Sequence, residues 1–113
     1  MDVAEVWVDV RGWEGVYRVS NLGRVCGTRG LLAPQVNKHR GGYVTVLFKA
    51  KGRTQSRRYV HRLVAEHFVA GYFEGAEVRH RNRVPTDCAA SNLLWGTRQD
   101  NADDRTRDGT QVH

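Results

Sequence analysis

The chain has 113 residues, enough for one domain with a modest core and too few for a fold plus a separate large module. Hydrophobic residues make up 40% and charged residues 27%, which argues against a disordered chain, and no apolar run approaches the roughly 18 residues of a membrane span. The formal net charge is +6 and is unevenly placed, with eleven Lys or Arg and no Asp or Glu from Gly15 to Ala65. A one-sign field of that kind suits a polyanion, nucleic acid first; a solubility surface, or a ribosome or membrane contact, is the plainer reading. The opening "MDVAEVWVDV" carries acids where a signal peptide would be basic, so a soluble, intracellular protein is expected. Cys26 and Cys88 stand 62 positions apart and outside any CxxC pair. Two reduced thiols are expected, and no zinc site.

In chain order, Trp7, Val8 and Val10 suggest a first short strand, and "GWEG" a turn. "VYRVS" alternates apolar and polar residues, and "NLGRV" turns into a second run, so residues 16–26 read as a hairpin with Asn21 and Gly23 at its bend. "RGLLAPQVNKHRGG" reads as a loop, because Pro34 and the Gly41–Gly42 pair argue against regular structure. "YVTVLFKA" is the clearest strand, β-branched and aromatic, and "QSRRYVH" returns from it. That hairpin carries Lys49, Lys51, Arg53, Arg57 and Arg58 around its tip. A basic two-stranded ribbon can follow a DNA backbone or enter a groove; the plainer alternative is an edge hairpin whose charges block aggregation.

The period then changes. Leu63, Val64, His67 and Phe68 share one helix face, and Gly71 ends the helix. On that pattern His67 is a packing residue. A short strand "EVRH", an irregular loop over 81–90 and a second short strand in "NLLWGT" follow. Thr97 is placed to cap a last helix, with Asp100 at the third position of a near capping box, and Gly109 closes it. The fold class read from these elements is α+β: N-terminal antiparallel β-hairpins, a connecting helix and a C-terminal ββα unit. One compact domain is expected over 1–113, with a β-rich part at 5–60, a connecting helix at 61–76 and the ββα unit at 77–109.

His80 ends the first strand of that unit, Asn92 comes twelve residues later, and Asn101 nine after that. Cutting a phosphodiester needs a base for water, a cation for the developing negative charge, and something to orient both. A histidine and oxygen-bearing side chains converging across a ββα unit can provide this with a single Mg²⁺. At these residues the chain resembles the phage-type HNH homing endonucleases of the His-Me finger superfamily. "WVDVRGWEGVYRVSNLGRV" is similar to the modular motif found beside such nucleases, and "GYVTVLF" with "VHRLVAEHF" to the segment joining it to the catalytic unit. "VRHRN…SNLLWGTRQDN" is similar to the HNH segment, which in relatives usually reads N/D-H-x-D-G…N-L-x-W-x-T…E-N.

The resemblance implies His80 as general base, Asn92 as the residue that orients it through a hydrogen bond, Asn101 as a metal ligand, and Trp95 packed beneath the site. His61 is expected to hold the helix in place. It also implies one Mg²⁺ or Mn²⁺, double-stranded DNA as partner, and a DNA-associated protein in the cytoplasm of a bacterial host. Arg24, Arg79, Arg81 and Arg83 join the hairpin cations as expected DNA contacts. The pattern breaks at Arg79, where relatives carry the Asp or Asn that ligates the metal. A guanidinium has no lone pair and stays charged. Asn82 and Arg83 replace the usual Asp-Gly turn, and Cys88 replaces an Asn.

Three accounts stand. Asn101 with Asp87 or Asp104 could hold the metal. Arg79 could take part of the metal's role electrostatically, with Arg79, Arg81 and Arg83 depressing the His80 pKa. Or the site has lost catalysis, and the chain is a DNA-binding regulator or a phage–host interaction protein on a nuclease scaffold. A protein-binding module is a further class, though a DNA mimic should be acidic. Monomer and homodimer both remain open.

Overall fold

The computed structural model describes residues 3–100, apart from the Arg40 side chain. The chain folds as α+β, with antiparallel strands and little helix. Four short strands come first: β1 (Trp7–Asp9), β2 (Arg18–Ser20), β3 (Val25–Gly27) and β4 (Gly30–Leu31), in spatial order β1-β2-β3-β4. A second sheet holds β5 (Gln35–Asn37), β6 (Tyr43–Phe48) and β7 (Ser56–Tyr59), with β6 in the centre. β7 runs directly into helix α1 (Val60–Phe68), and a two-stranded ribbon of β8 (Glu77–His80) and β9 (Leu93–Gly96) follows.

The expected hairpins at 16–26 and 43–59 are both present. The segment expected as loop is not wholly irregular, because β4 and β5 lie within it. Each is only two or three residues long and exists by pairing at a sheet edge, β4 on β3 and β5 on β6. Pro34, which lacks the N–H a ladder needs, falls between them. The helix is shorter than the expected 61–76 span. Val69 is already extended at φ −110°, ψ 119°, and its carbonyl accepts the Trp95 Nε1–H at 3.0 Å, which holds it out of the helix. No helix among the described residues is long and apolar enough to cross a membrane.

One apolar cluster joins all three sheets to α1. Val10, Val19, Phe48, Leu63, Val64 and Leu93 lie within it at 1% exposure or less. Trp13, Tyr17 and Phe48 form its aromatic end, the last two stacked at 4.1 Å between centroids. The Tyr17 hydroxyl closes that end by donating to the Lys49 carbonyl at 2.7 Å and accepting the Lys49 N–H at 2.9 Å.

The "SNLG" bend fastens the N-terminal strands to the C-terminal ribbon. Buried Ser20 accepts the Leu22 and Arg24 N–H groups on its hydroxyl, both at 3.2 Å. The Asn21 side chain accepts from Val6 N and donates to the Ala4 carbonyl, while its backbone oxygen takes the Ala90 N–H at 2.7 Å. Gly23, at φ +92°, sits so close to Cys88 that a Cβ there would stand 3.0 Å from the Cys88 carbonyl carbon. This bend therefore needs Asn for its two-ended side chain and Gly for its backbone.

Candidate functional site

The β8–β9 ribbon sets the site. Its register pairs His80 with Leu93, Arg79 with Leu94, Val78 with Trp95 and Glu77 with Gly96. Alternation along a strand puts Val78 and His80 on the face that also carries buried Leu93 and Trp95, and puts Arg79 on the other face. Trp95, expected beneath the site, is buried on this strand face, with Tyr72 edge-on at 5.0 Å.

His80 meets two rings that the sequence did not bring to it. His61, on the first turn of α1, lies 5.2 Å from it between centroids at 62°, and Tyr43, the first residue of β6, lies 5.9 Å away at 26°. Tyr43 and Tyr59 flank His61 at 4.8 and 5.4 Å. Among the described residues, His80 Nε2 and His61 Nδ1 are both sealed from solvent and without a hydrogen-bond partner. Burial lowers the pKa of His80, and Asp87 opposes this weakly from nearby. The expected depression by Arg79, Arg81 and Arg83 is therefore replaced by desolvation; Arg79 lies on the opposite strand face. His61 is lowered to about 3, by burial first and then by repulsion from His80 and Arg62. Both rings are neutral at pH 7.

Asn92 is 8% exposed, and its amide serves the loop. Its Nδ2 donates to Asn82 Oδ1 and to the Asp87 carbonyl, both at 2.9 Å, and its Oδ1 accepts the Asn82 N–H at 3.0 Å. The expected hydrogen bond to His80 does not occur among the described residues. Both amide hydrogens are already committed, so Asn92 fixes the turn that follows His80. That turn closes by an Arg83 N–H to His80 carbonyl bond of 3.0 Å and an Arg81 N–H to Asn92 carbonyl bond of 2.7 Å. Arg83 takes φ +60° in it, a left-handed conformation that favours Gly.

The Asp87 carboxylate accepts from Asn82 Nδ2 at 2.8 Å and from Ala89 N at 3.4 Å. Among the described residues no group of three or more His, Cys, Asp or Glu converges to hold a metal ion. Asn101 and Asp104 lie outside the described residues. Thr97 and Asp100 do form the reciprocal cap expected for the last helix, at 2.9 and 3.0 Å. Arg79 lies across Gly96: a Cβ on that glycine would stand 2.3 Å from Arg79 Cδ and 3.3 Å from Asp100 Oδ2. The Arg79 side chain thus runs over β9 at Gly96, beside Asp100. The described donors do not fit a metal on their own.

The expected DNA-contacting cations divide into two kinds. Lys49, Lys51 and Arg53 surround the β6–β7 turn, and Arg57 and Arg58 lie in β7. Arg53 stacks over Trp13 at 3.5 Å, and Arg58 over Phe48 at 5.5 Å. Arg57 is tied to Gln35 Oε1 at 2.9 Å and to Thr45. Arg81 and Arg83 are exposed on the loop after His80. Arg24 differs, because Glu5 holds it in an ion pair whose hydrogen bonds lower the Glu5 carboxyl to about 2. Its charge is largely answered within the chain. His67 also departs from its expected packing role. It bonds the Leu63 carbonyl through Nδ1 at 2.8 Å and accepts the Arg11 N–H on Nε2 at 3.0 Å, bridging α1 to the first turn. His61 and Tyr43 were missed as site residues, since nothing local links positions 43, 61 and 80.

Residues 58–103 match the family model described as HNH endonuclease, and residues 5–49 match the NUMOD4 motif. The chain is 40% identical over 108 residues to the DNA endonuclease I-HmuI of Bacillus phage SP01, covering 92% of this chain and 59% of that protein. It is 35% identical over 104 residues to an uncharacterized HNH endonuclease of Acanthamoeba polyphaga mimivirus, covering 87% of this chain and 25% of the other. Its fold matches a solved structure titled for DNA binding and cleavage by the HNH homing endonuclease I-HmuI, with TM-score 0.83 and 34% identity, covering 96% of this chain and 62% of that one. The chain thus spans about three fifths of the phage relative and a quarter of the mimivirus one.

Proposed function

The chain belongs to the HNH homing endonuclease family, with a NUMOD4 motif ahead of its HNH segment, and from that premise we propose that it binds double-stranded DNA and hydrolyses a phosphodiester bond with His80 as general base. The observation that carries this is the state of His80. It ends a rigid ribbon and is kept neutral by burial, so at pH 7 it can accept a proton from water. Nε2 is sealed, which leaves Nδ1 as the nitrogen that would do so. Arg81 and Arg83 flank the site and the hairpin cations lie on β6–β7, both suited to phosphate.

HNH nucleases generally use a divalent metal, which supplies charge at the scissile phosphate. Here Arg79 occupies the position of a usual ligand, and the described residues provide no replacement set. That observation favours a second reading, a DNA-binding protein that holds without cutting. Supercoiled plasmid separates the two, incubated with Mg²⁺ or Mn²⁺, with EDTA, and with His80→Ala in parallel. Nicking by the wild type that His80→Ala abolishes, with DNA binding retained, is the expected outcome. Wild type and variant that both shift the plasmid without relaxing it would establish the second reading.

A further inference from the structure

We propose that His61 is the positioning residue of this site, its Nδ1 linked to the Nε2–H of His80 through one buried water, and so fixing the tautomer that leaves His80 Nδ1 as the base. This rests on the reading of His80 as general base.

The argument starts from two unsatisfied atoms. Buried polar atoms are nearly always hydrogen-bonded, and an exception calls for a cause. Here there are two, His61 Nδ1 and His80 Nε2, on rings whose centroids are 5.2 Å apart. No direct bond joins the two nitrogens, and rings this close are within reach of a single bridging water. Their needs are complementary, since a neutral imidazole has one donor and one acceptor. A single proton on His80 Nε2 satisfies both atoms at once. Which nitrogen of a working histidine carries the proton is set by the bond the other one makes.

The other nearby candidates are already occupied. Asn92 is committed to Asn82 and Asp87, and the Asp87 carboxylate to Asn82 and Ala89. His61 is held more firmly than either loop residue. β7 passes into α1 with Tyr59 as the only cap residue between them, and the Tyr43 and Tyr59 rings flank the imidazole.

The test uses the whole chain, with nitrogen-15 NMR of the imidazoles near pH 7.5 and plasmid nicking. Wild-type His80 should appear as the Nε2–H tautomer. His61→Phe keeps a ring but removes the acceptor, and should mix the His80 tautomers and lower kcat about 10- to 100-fold with little change in KM. His61→Asn presents an oxygen close to the Nδ1 position and should restore the tautomer and much of the rate. Wild-type His80 in the Nδ1–H form overturns the proposal outright, whether or not any variant folds. So does His61→Phe with an unchanged His80 tautomer. If His80→Ala still nicks, the general-base reading fails instead, while the tautomer measurement still decides the His61–His80 link.

Discussion

Asn92→Ala separates a loop clamp from a chemical role. The side chain makes three hydrogen bonds, two from Nδ2 and one to Oδ1, at 2.9–3.0 Å and 8% exposure. At a net value of about 0.5–1.5 kcal/mol each, their loss should cost about 3 kcal/mol, because the Asn82 N–H and the Asp87 carbonyl are left without their partner. A domain of this size loses roughly 4–8 °C of Tm per kcal/mol, so the variant should melt on the order of 12–24 °C lower. Tryptophan fluorescence follows the melt, since Trp95 is buried two residues along the strand from Leu93. Hydrogen exchange should show residues 81–90 opening first, as the bonds concern that loop. Refutation would be a Tm within about 3 °C of wild type, less than these bonds are worth, together with abolished nicking. Asn92 would then act on the chemistry, and the clamp would be incidental.

Other predictions follow from the same geometry. Arg83 is strained at φ +60°, so Arg83→Gly should raise stability by about 0.5–1 kcal/mol after the added freedom of the unfolded glycine is discounted, read as a higher urea midpoint at unchanged slope. Gly23→Ala adds strain at φ +92° and a Cβ 3.0 Å from Cys88, and should destabilise by about 2–3 kcal/mol in the same titration. The pH dependence of stability has a definite sign. His61 stays neutral in the fold down to about 3, while the unfolded chain takes up its proton below 6.5, so stability is complete above 6.5 and falls as pH drops toward 3. At pH 5.5 the loss from His61 should be about 1.4 kcal/mol relative to pH 7.5, with His80 adding in the same direction, and His61→Phe should remove its share.

The long regular stretches were legible because their signals are local. β6 shows as "YVTVLF", the bend of the first hairpin as "SNLG", and the last helix cap as Thr97 with Asp100 three residues on. β4 and β5 were not legible, since strands of two or three residues carry no periodicity and arise from the edge beside them. The end of α1 was misplaced at Gly71 because the deciding group is the Trp95 indole, 26 residues away in sequence. Spacing picked out Asn92 as an important residue but could not say for what, as its partners are defined by a loop path. Charge counting treated Arg24 like the other cations, and only the fold reveals Glu5 beside it.

Arg79 and His80 are neighbours in sequence but serve different faces of one ribbon, and this governs what the replacement at 79 can affect. The base side depends on His80, His61, Tyr43 and the clamp around Asn92, none of which the Arg79 side chain needs to touch. On the other face a long cationic side chain lies over Gly96, where a Cβ would leave it no room, beside the Asp100 cap. A guanidinium there can grip non-bridging phosphate oxygens in two parallel bonds, as a divalent ion would attract them. It carries half the charge and offers no open coordination position to a leaving oxygen. On the proposed reading of His80 as base, a cation at 79 in place of a ligand would weigh on the step where the 3′ oxygen departs and would leave proton removal at His80 intact.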